Sequence, residues 1–174
     1  MLSYIYLSEL PETVSILQPA VMVGSWFGMG LVEPLRAGLA IASIWPLAVL
    51  VSARSPAALL AVTLAVVMVG GWSADAWETL FSIEDDRRIV IDEVAGYLVG
   101  MALLGRAGWL GAGGFAVLFL TLDRLKPFPF HLVERVPGGI GVMLDDIVVG
   151  VALGLAAMIA LAVWRRVFGD GSLS

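Results

Sequence analysis

The 174-residue chain has no cysteine, which excludes a disulfide framework, a thiolate nucleophile and a thiolate metal site together. It has one histidine, His131, which reads as a surface or interfacial residue rather than a metal ligand. Charged residues make up only 14%, where a soluble domain carries about 25%. No basic run exceeds two residues and the formal charge is −5, so a nucleic-acid partner is not indicated. What fills the sequence instead is apolar: 60% hydrophobic without counting twenty glycines, with a mean hydropathy of +0.96. A soluble chain near 150 residues still exposes roughly a third of its unfolded surface, and this composition does not suit such a surface. The length suits one domain, residues 1–174.

Charge is missing from five stretches, Thr13–Val32, Ala37–Ala53, Ser55–Ala74, Ala107–Leu122 and Ile147–Trp164. Each approaches the roughly 17–25 residues that a spanning helix needs. A sixth, Ile89–Gly105, is as apolar but carries Asp92 and Glu93 near its start. The runs are continuous and do not alternate, which argues for helices over a membrane β-barrel. The expected fold is an all-α, polytopic membrane bundle with about five spanning helices, at 37–53, 56–73, 89–105, 107–122 and 146–164. Residues 13–32, interrupted by Pro19, Gly24, Gly28 and Gly30, form a poorly packed first span, a broken or re-entrant segment, or an interfacial helix. The N-terminus lacks the positive region of a cleaved signal peptide.

Following these helices across a bilayer brings Asp92, Glu93, Asp123, Asp145 and Asp146 to one face, together with the glycine-rich 28–38 segment. That side would hold Arg36, Arg87, Arg88, Arg124, Lys126 and Arg135, against Arg54, Arg106, Arg165 and Arg166 on the other. The imbalance orients the acidic face toward the cytoplasm under the positive-inside rule. Ionised acids are costly within apolar helices, so Asp92 and Glu93 read better as a buried site than as solvated interface residues. Gly96 and Gly100, one and two turns on, would let another helix approach closely. Asp145 and Asp146 would open the last helix, where one acid suits the helix dipole and a second beside it wants a cation. Converging hard oxygens without His or Cys specify Mg2+ or Ca2+. Cations Arg124 and Lys126 beside them would suit a lipid phosphate ester, which Mg2+ can polarise while activating water.

Three blocks carry a resemblance: Ile89-Val-Ile-Asp-Glu-Val-Ala-Gly96, Leu122-Asp-Arg-Leu-Lys-Pro-Phe-Pro129 and Gly138-Gly-Ile-Gly-Val-Met-Leu-Asp-Asp-Ile-Val-Val-Gly150. In order and spacing they resemble the phosphatidylglycerophosphatase A family, over about residues 24–165. The resemblance implies an Mg2+-dependent enzyme of the bacterial inner membrane that removes the terminal phosphate of phosphatidylglycerophosphate. It implies metal-binding or catalytic roles for Asp92, Glu93, Asp123, Asp145 and Asp146, with Lys126 in the family's Lys-Pro pair. Gly28, Gly30, Pro34 and Gly38 fit the family's first glycine-rich block, and Gly138, Gly139 and Gly141 the last. Two departures stand out. The family's Pro-Gly-Thr is Ala37-Gly38-Leu39 here, and the arginine three residues before the middle aspartate is Leu120. Arg36 and Arg124 would take over the phosphate contacts; otherwise the substrate is another lipid phosphate, or activity is impaired. A CDP-alcohol phosphotransferase lacks its aspartate run here. A transporter or assembly subunit, the non-catalytic alternative, would place its acids nearer the midplane.

Overall fold

The computed structural model describes residues 5–83, 85–125 and 136–169. Among them run a two-residue strand β1 (Tyr6–Leu7), a short helix α1 (Pro19–Gly24), a 3-10 turn at Met29–Leu31, and β2 (Val32–Glu33). The longer helices follow: α2 (Arg36–Arg54), α3 (Pro56–Phe81), α4 (Ile91–Leu104), α5 (Trp109–Leu125) and α6 (Gly138–Phe168). The chain is an all-α membrane protein. Helices α2, α3 and α6 are long and apolar enough to cross a bilayer. Their outer faces carry Leu60, Leu64, Met68, Trp72, Ile159 and Val163 in exposed positions, a surface that water would not tolerate and acyl chains would.

Three helices meet the spanning length where five were expected. Helix α5, at 17 residues, lies at the lower edge of the range, and α4, at 14 residues, is about 21 Å long against a hydrocarbon core of about 30 Å. Helix α4 is the hub of the bundle: Ile91, Val94, Ala95, Gly96, Tyr97, Leu98, Gly100 and Met101 are all buried. A helix apolar all round is one surrounded by others, and α2, α3, α5 and α6 all pack on it. The 13–32 stretch does not cross as a helix, since α1 has six residues and covers about 9 Å.

Two helices exceed their expected bounds. Helix α3 continues through the polar stretch after Ser73 because Ala74 and Trp77 bury one side while Thr79 faces out. The buried Ser73 hydroxyl donates to the Ala20 carbonyl at 2.8 Å. Helix α6 starts at Gly138 rather than at 146, and its cap comes from another helix: the Asp75 carboxylate accepts from the Gly139 amide at 2.6 Å. The glycine-rich run is thus helical rather than a loop. A Cβ on Gly139 would overlap the Gly71 carbonyl of α3, and one on Gly141 would overlap Val136.

The closest helix pairing is α4 on α6. A Cβ on Gly96 would run into the Asp146 carbonyl, one on Gly150 into the Gly96 carbonyl, and one on Gly154 would come within 2.9 Å of the Gly100 carbonyl. Both helices present Gly-x3-Gly, and small residues at this spacing let backbones touch. Residues rise together along both, so the helices are parallel.

Candidate active site

The glycine contact decides where the acids go. Asp92 stands four residues before Gly96, and Asp146 four before Gly150, so each acid shares a helix face with its glycine. Where the glycines pull the two faces together, the carboxylates are brought together one turn away. Carboxylate oxygens of Asp92, Glu93 and Asp146 lie within 4.8 Å of one another. Asp146 is 4% exposed. Asp92 and Glu93 occupy the first turn of α4, where unpaired amides and the helix dipole favour negative charge. The Glu93 amide donates to Asp92 Oδ1 at 3.0 Å, and Glu93 Oε2 is buried without a hydrogen-bond partner among the described residues.

These acids line a cavity of about 900 Å3. Its walls come from the start of α2, the 85–89 connection, the start of α4, the last turns of α5 and Asp146 of α6, all at one end of the bundle. Asp123, in the last turn of α5, also lines it. Asp145 does not: it follows at about 100° around the helix from Asp146 and lies outside the lining. Neither acid caps α6, because the helix begins two turns earlier.

Of the cations named from sequence, Arg36 and Arg124 line the cavity. Arg36 pairs with Glu33 Oε1 at 2.6 Å. Arg124 falls one turn after Leu120, the position where the arginine is missing, and both line the same wall. Lys126, with His131, lies outside the described residues. Of the glycines, Gly38 lines the cavity. Gly28 and Gly30 do not: Gly28 has φ +87° before the 3-10 turn, and Gly30 packs under the Arg88 carbonyl. Gly138, Gly139 and Gly141 serve the contact with α3 and the entry to α6 instead of the cavity.

Sequence reasoning put Arg87 on the acidic face without assigning it to the site, missed Asp85 as a lining residue, and missed what holds them. Asp86 and Arg88 form a buried ion pair at 2.5 Å. The Arg88 amide donates to Asp86 Oδ1 at 3.0 Å, Trp77 Nε1 to Asp86 Oδ2 at 3.1 Å, and Arg88 Nη1 to the Glu9 carbonyl at 2.9 Å. The guanidinium sits over Phe81 at 4.5 Å. Burial raises the proton affinity of Asp86, but the Arg88 and Trp77 donors outweigh it and hold the carboxyl below its ordinary value. With Arg88 turned inward, Arg87 on the same connection reaches the cavity. Only the alternation of two arginines after two aspartates could have hinted at this division.

Comparison with known proteins fits this geometry. Residues 22–161 match the family model described as phosphatidylglycerophosphatase A.

The chain belongs to the phosphatidylglycerophosphatase A family.

It is a membrane-embedded lipid phosphatase in class, a phosphoric monoester hydrolase, and the non-catalytic alternative falls away. A Bacteroides thetaiotaomicron protein named "putative phosphatidylinositol-3-phosphatase" is 35% identical over 158 residues, 86% of this chain and 95% of its own. Phosphatidylglycerophosphatase A of Haemophilus influenzae is 26% identical over 143 residues, 80% of this chain and 87% of its own. The Escherichia coli protein of that name is 39% identical over 70 residues, 40% of this chain and 41% of its own. No solved structure matches the chain.

Proposed function

We propose that the chain hydrolyses the terminal phosphomonoester of phosphatidylglycerophosphate, giving phosphatidylglycerol, with Mg2+ and at the cytoplasmic face of the bacterial inner membrane. The observation that carries the reading is the trio Asp92, Glu93 and Asp146, with oxygens within 4.8 Å of one another in a cavity that also holds arginines. The donor set fits Mg2+: it is all hard carboxylate oxygen, and Glu93 Oε2 is a buried acceptor left over by the hydrogen bonds among the described residues. Carboxylates this close repel one another unless a cation or protons intervene. Asp92, Glu93 and Asp146 would hold the ion, with Asp123 lining the same cavity. Bound there, Mg2+ would neutralise phosphoryl charge and help activate water.

The chain's own residues do the rest. Arg124 and Arg87 offer guanidinium groups to phosphate oxygens, a match of planar donors to tetrahedral anion that suits arginine. Arg36, held by Glu33, sits at the cavity's α2 edge and fixes the charge there. Burial of Asp146 keeps bulk water from competing at the carboxylate side, which strengthens each charge interaction. The orientation rests on the six-to-four excess of basic residues on the acidic face.

A second reading is a phosphate carried on an inositol headgroup. It is favoured by the name of the 35% identical relative and by the change of the family's arginine position to Leu120 in the cavity wall. Purified protein assayed on micellar phosphatidylglycerophosphate and phosphatidylinositol 3-phosphate, with Mg2+ or with chelator, separates the two. Phosphate release from the first that requires Mg2+ is expected. Asp146→Asn should lower it at least about tenfold, as weakening of the ion's site does. Release from neither lipid, or undiminished release by Asp146→Asn, overturns the reading.

A further inference from the structure

Helices α2 and α5 meet along one half of their length and part along the other. Trp45 of α2 lies over α5 at Gly113, where a Cβ would stand 3.0 Å from the indole, and its ring meets Trp109 edge-on at 6.2 Å. Gly38 precedes Trp45 by seven residues, two helical turns, and so shares its face. On α5, Val117 and Thr121 follow Gly113 by one and two turns on its face. A Cβ on Gly38 would nevertheless meet nothing within 4 Å, and Gly38, Val117 and Thr121 all line the cavity. Faces in contact at Trp45 are therefore separated at the cavity end. Val117 lines the gap while being 65% exposed on the outside of the bundle, beside Leu118 at 55%. The cavity, lined by both the acids and Val117, thus reaches as a slot the exposed flank of α5. Glycine weakens a helix relative to alanine, and no neighbouring atom demands a bare backbone at Gly38.

We propose that this slot is the lateral entry for the lipid part of the substrate, with Gly38 keeping it open. The phosphomonoester would reach Asp92, Glu93 and Asp146 from the membrane side. The glycerol backbone and first acyl methylenes would lie between Gly38 of α2 and Val117 and Thr121 of α5. The inference rests on the reading of the three acids as the phosphate-cleaving centre.

The test compares kcat/KM for long-chain phosphatidylglycerophosphate with that for its deacylated, water-soluble counterpart, in neutral detergent. Gly38→Leu and Val117→Trp narrow the slot from opposite walls. Each is expected to lower the ratio of long-chain to deacylated turnover by roughly tenfold or more, the loss that follows when a few methylenes are no longer buried. A ratio unchanged in both variants, or an equal fall for both substrates, overturns the slot. Labelling gives a readout independent of turnover, because the chain has no cysteine. Long-chain lipid phosphate should slow maleimide labelling of Gly38→Cys, and the deacylated compound should not; equal protection by the two contradicts the proposal. A wild type that releases no phosphate, yet shows lipid-specific protection at position 38, keeps the slot and removes the chemistry assigned to the acids.

Discussion

At the scale of single residues, the acids that the structure brings together were legible because they are expensive. Asp92, Glu93 and Asp146 stand in apolar surroundings where a charge has no use as a solubiliser, so their presence points to a site. The residues that went unread, Asp75, Asp85 and Asp86, lie in a polar stretch where charges are ordinary, and their roles depend on contacts that no local spacing encodes. The Asp86–Arg88 pair makes a specific case. Its carboxyl titrates below the ordinary value of 3.8, so the native state binds the proton less readily than the unfolded chain. The pair's contribution is therefore complete above that ordinary value and lost as pH falls through the lower native one. Asp86→Asn should flatten this acid-side loss of thermal stability. At neutral pH, Asp86→Asn should also cost about 2–4 kcal/mol, since one partner of a buried pair is left alone. Thermal unfolding in detergent between pH 3 and 7 measures both, and an unaltered acid limb would contradict the assignment.

At the scale of elements, the long apolar runs located every long helix among the described residues but misplaced the end of α3 and the start of α6. The start of α6 was unreadable because its cap is the Asp75 carboxylate of α3, and a cap supplied from sixty-four residues away leaves no local signal. The end of α3 was hidden by polar residues on its outward side, with Ala74 and Trp77 buried behind them. The pairing of α4 with α6 was half legible: Gly96 and Gly100 announced a close approach, while their partners Gly150 and Gly154 were not singled out. That approach sets the spacing of the acids, which gives a prediction at this scale. Gly150→Val forces a side chain into the Gly96 carbonyl and must push the helices apart, at about 1–3 kcal/mol or more for overpacking. Phosphate release should fall further than stability does, because Asp92 and Asp146 separate with the helices. Thermal midpoint and turnover measured on the same preparation check it, and full activity in a destabilised variant would show that the acids need not be held by this contact.

At the scale of the molecule, composition settled the class and parity settled which end of the bundle collects the acids. Of the five expected spans, α2, α3 and α6 are long and apolar enough to cross a bilayer; α4 is as apolar but wrapped by its neighbours, and hydropathy does not distinguish protein from lipid as the surrounding medium. A short central helix has a consequence: its first turn, with Asp92 and Glu93, lies level with the third turn of α6, so the trio sits sunk below the start of the longer helix. The central claim is that this trio holds one kind of hard divalent ion for phosphate chemistry. Mn2+, a spectroscopically visible stand-in for Mg2+, measures it directly by the loss of its free-ion magnetic resonance signal as purified protein is added. Saturable binding that Mg2+ displaces and that Asp146→Asn weakens at least about tenfold, as loss of a ligand should, is the result predicted. Binding to Asp146→Asn as tight as to the wild type would contradict it.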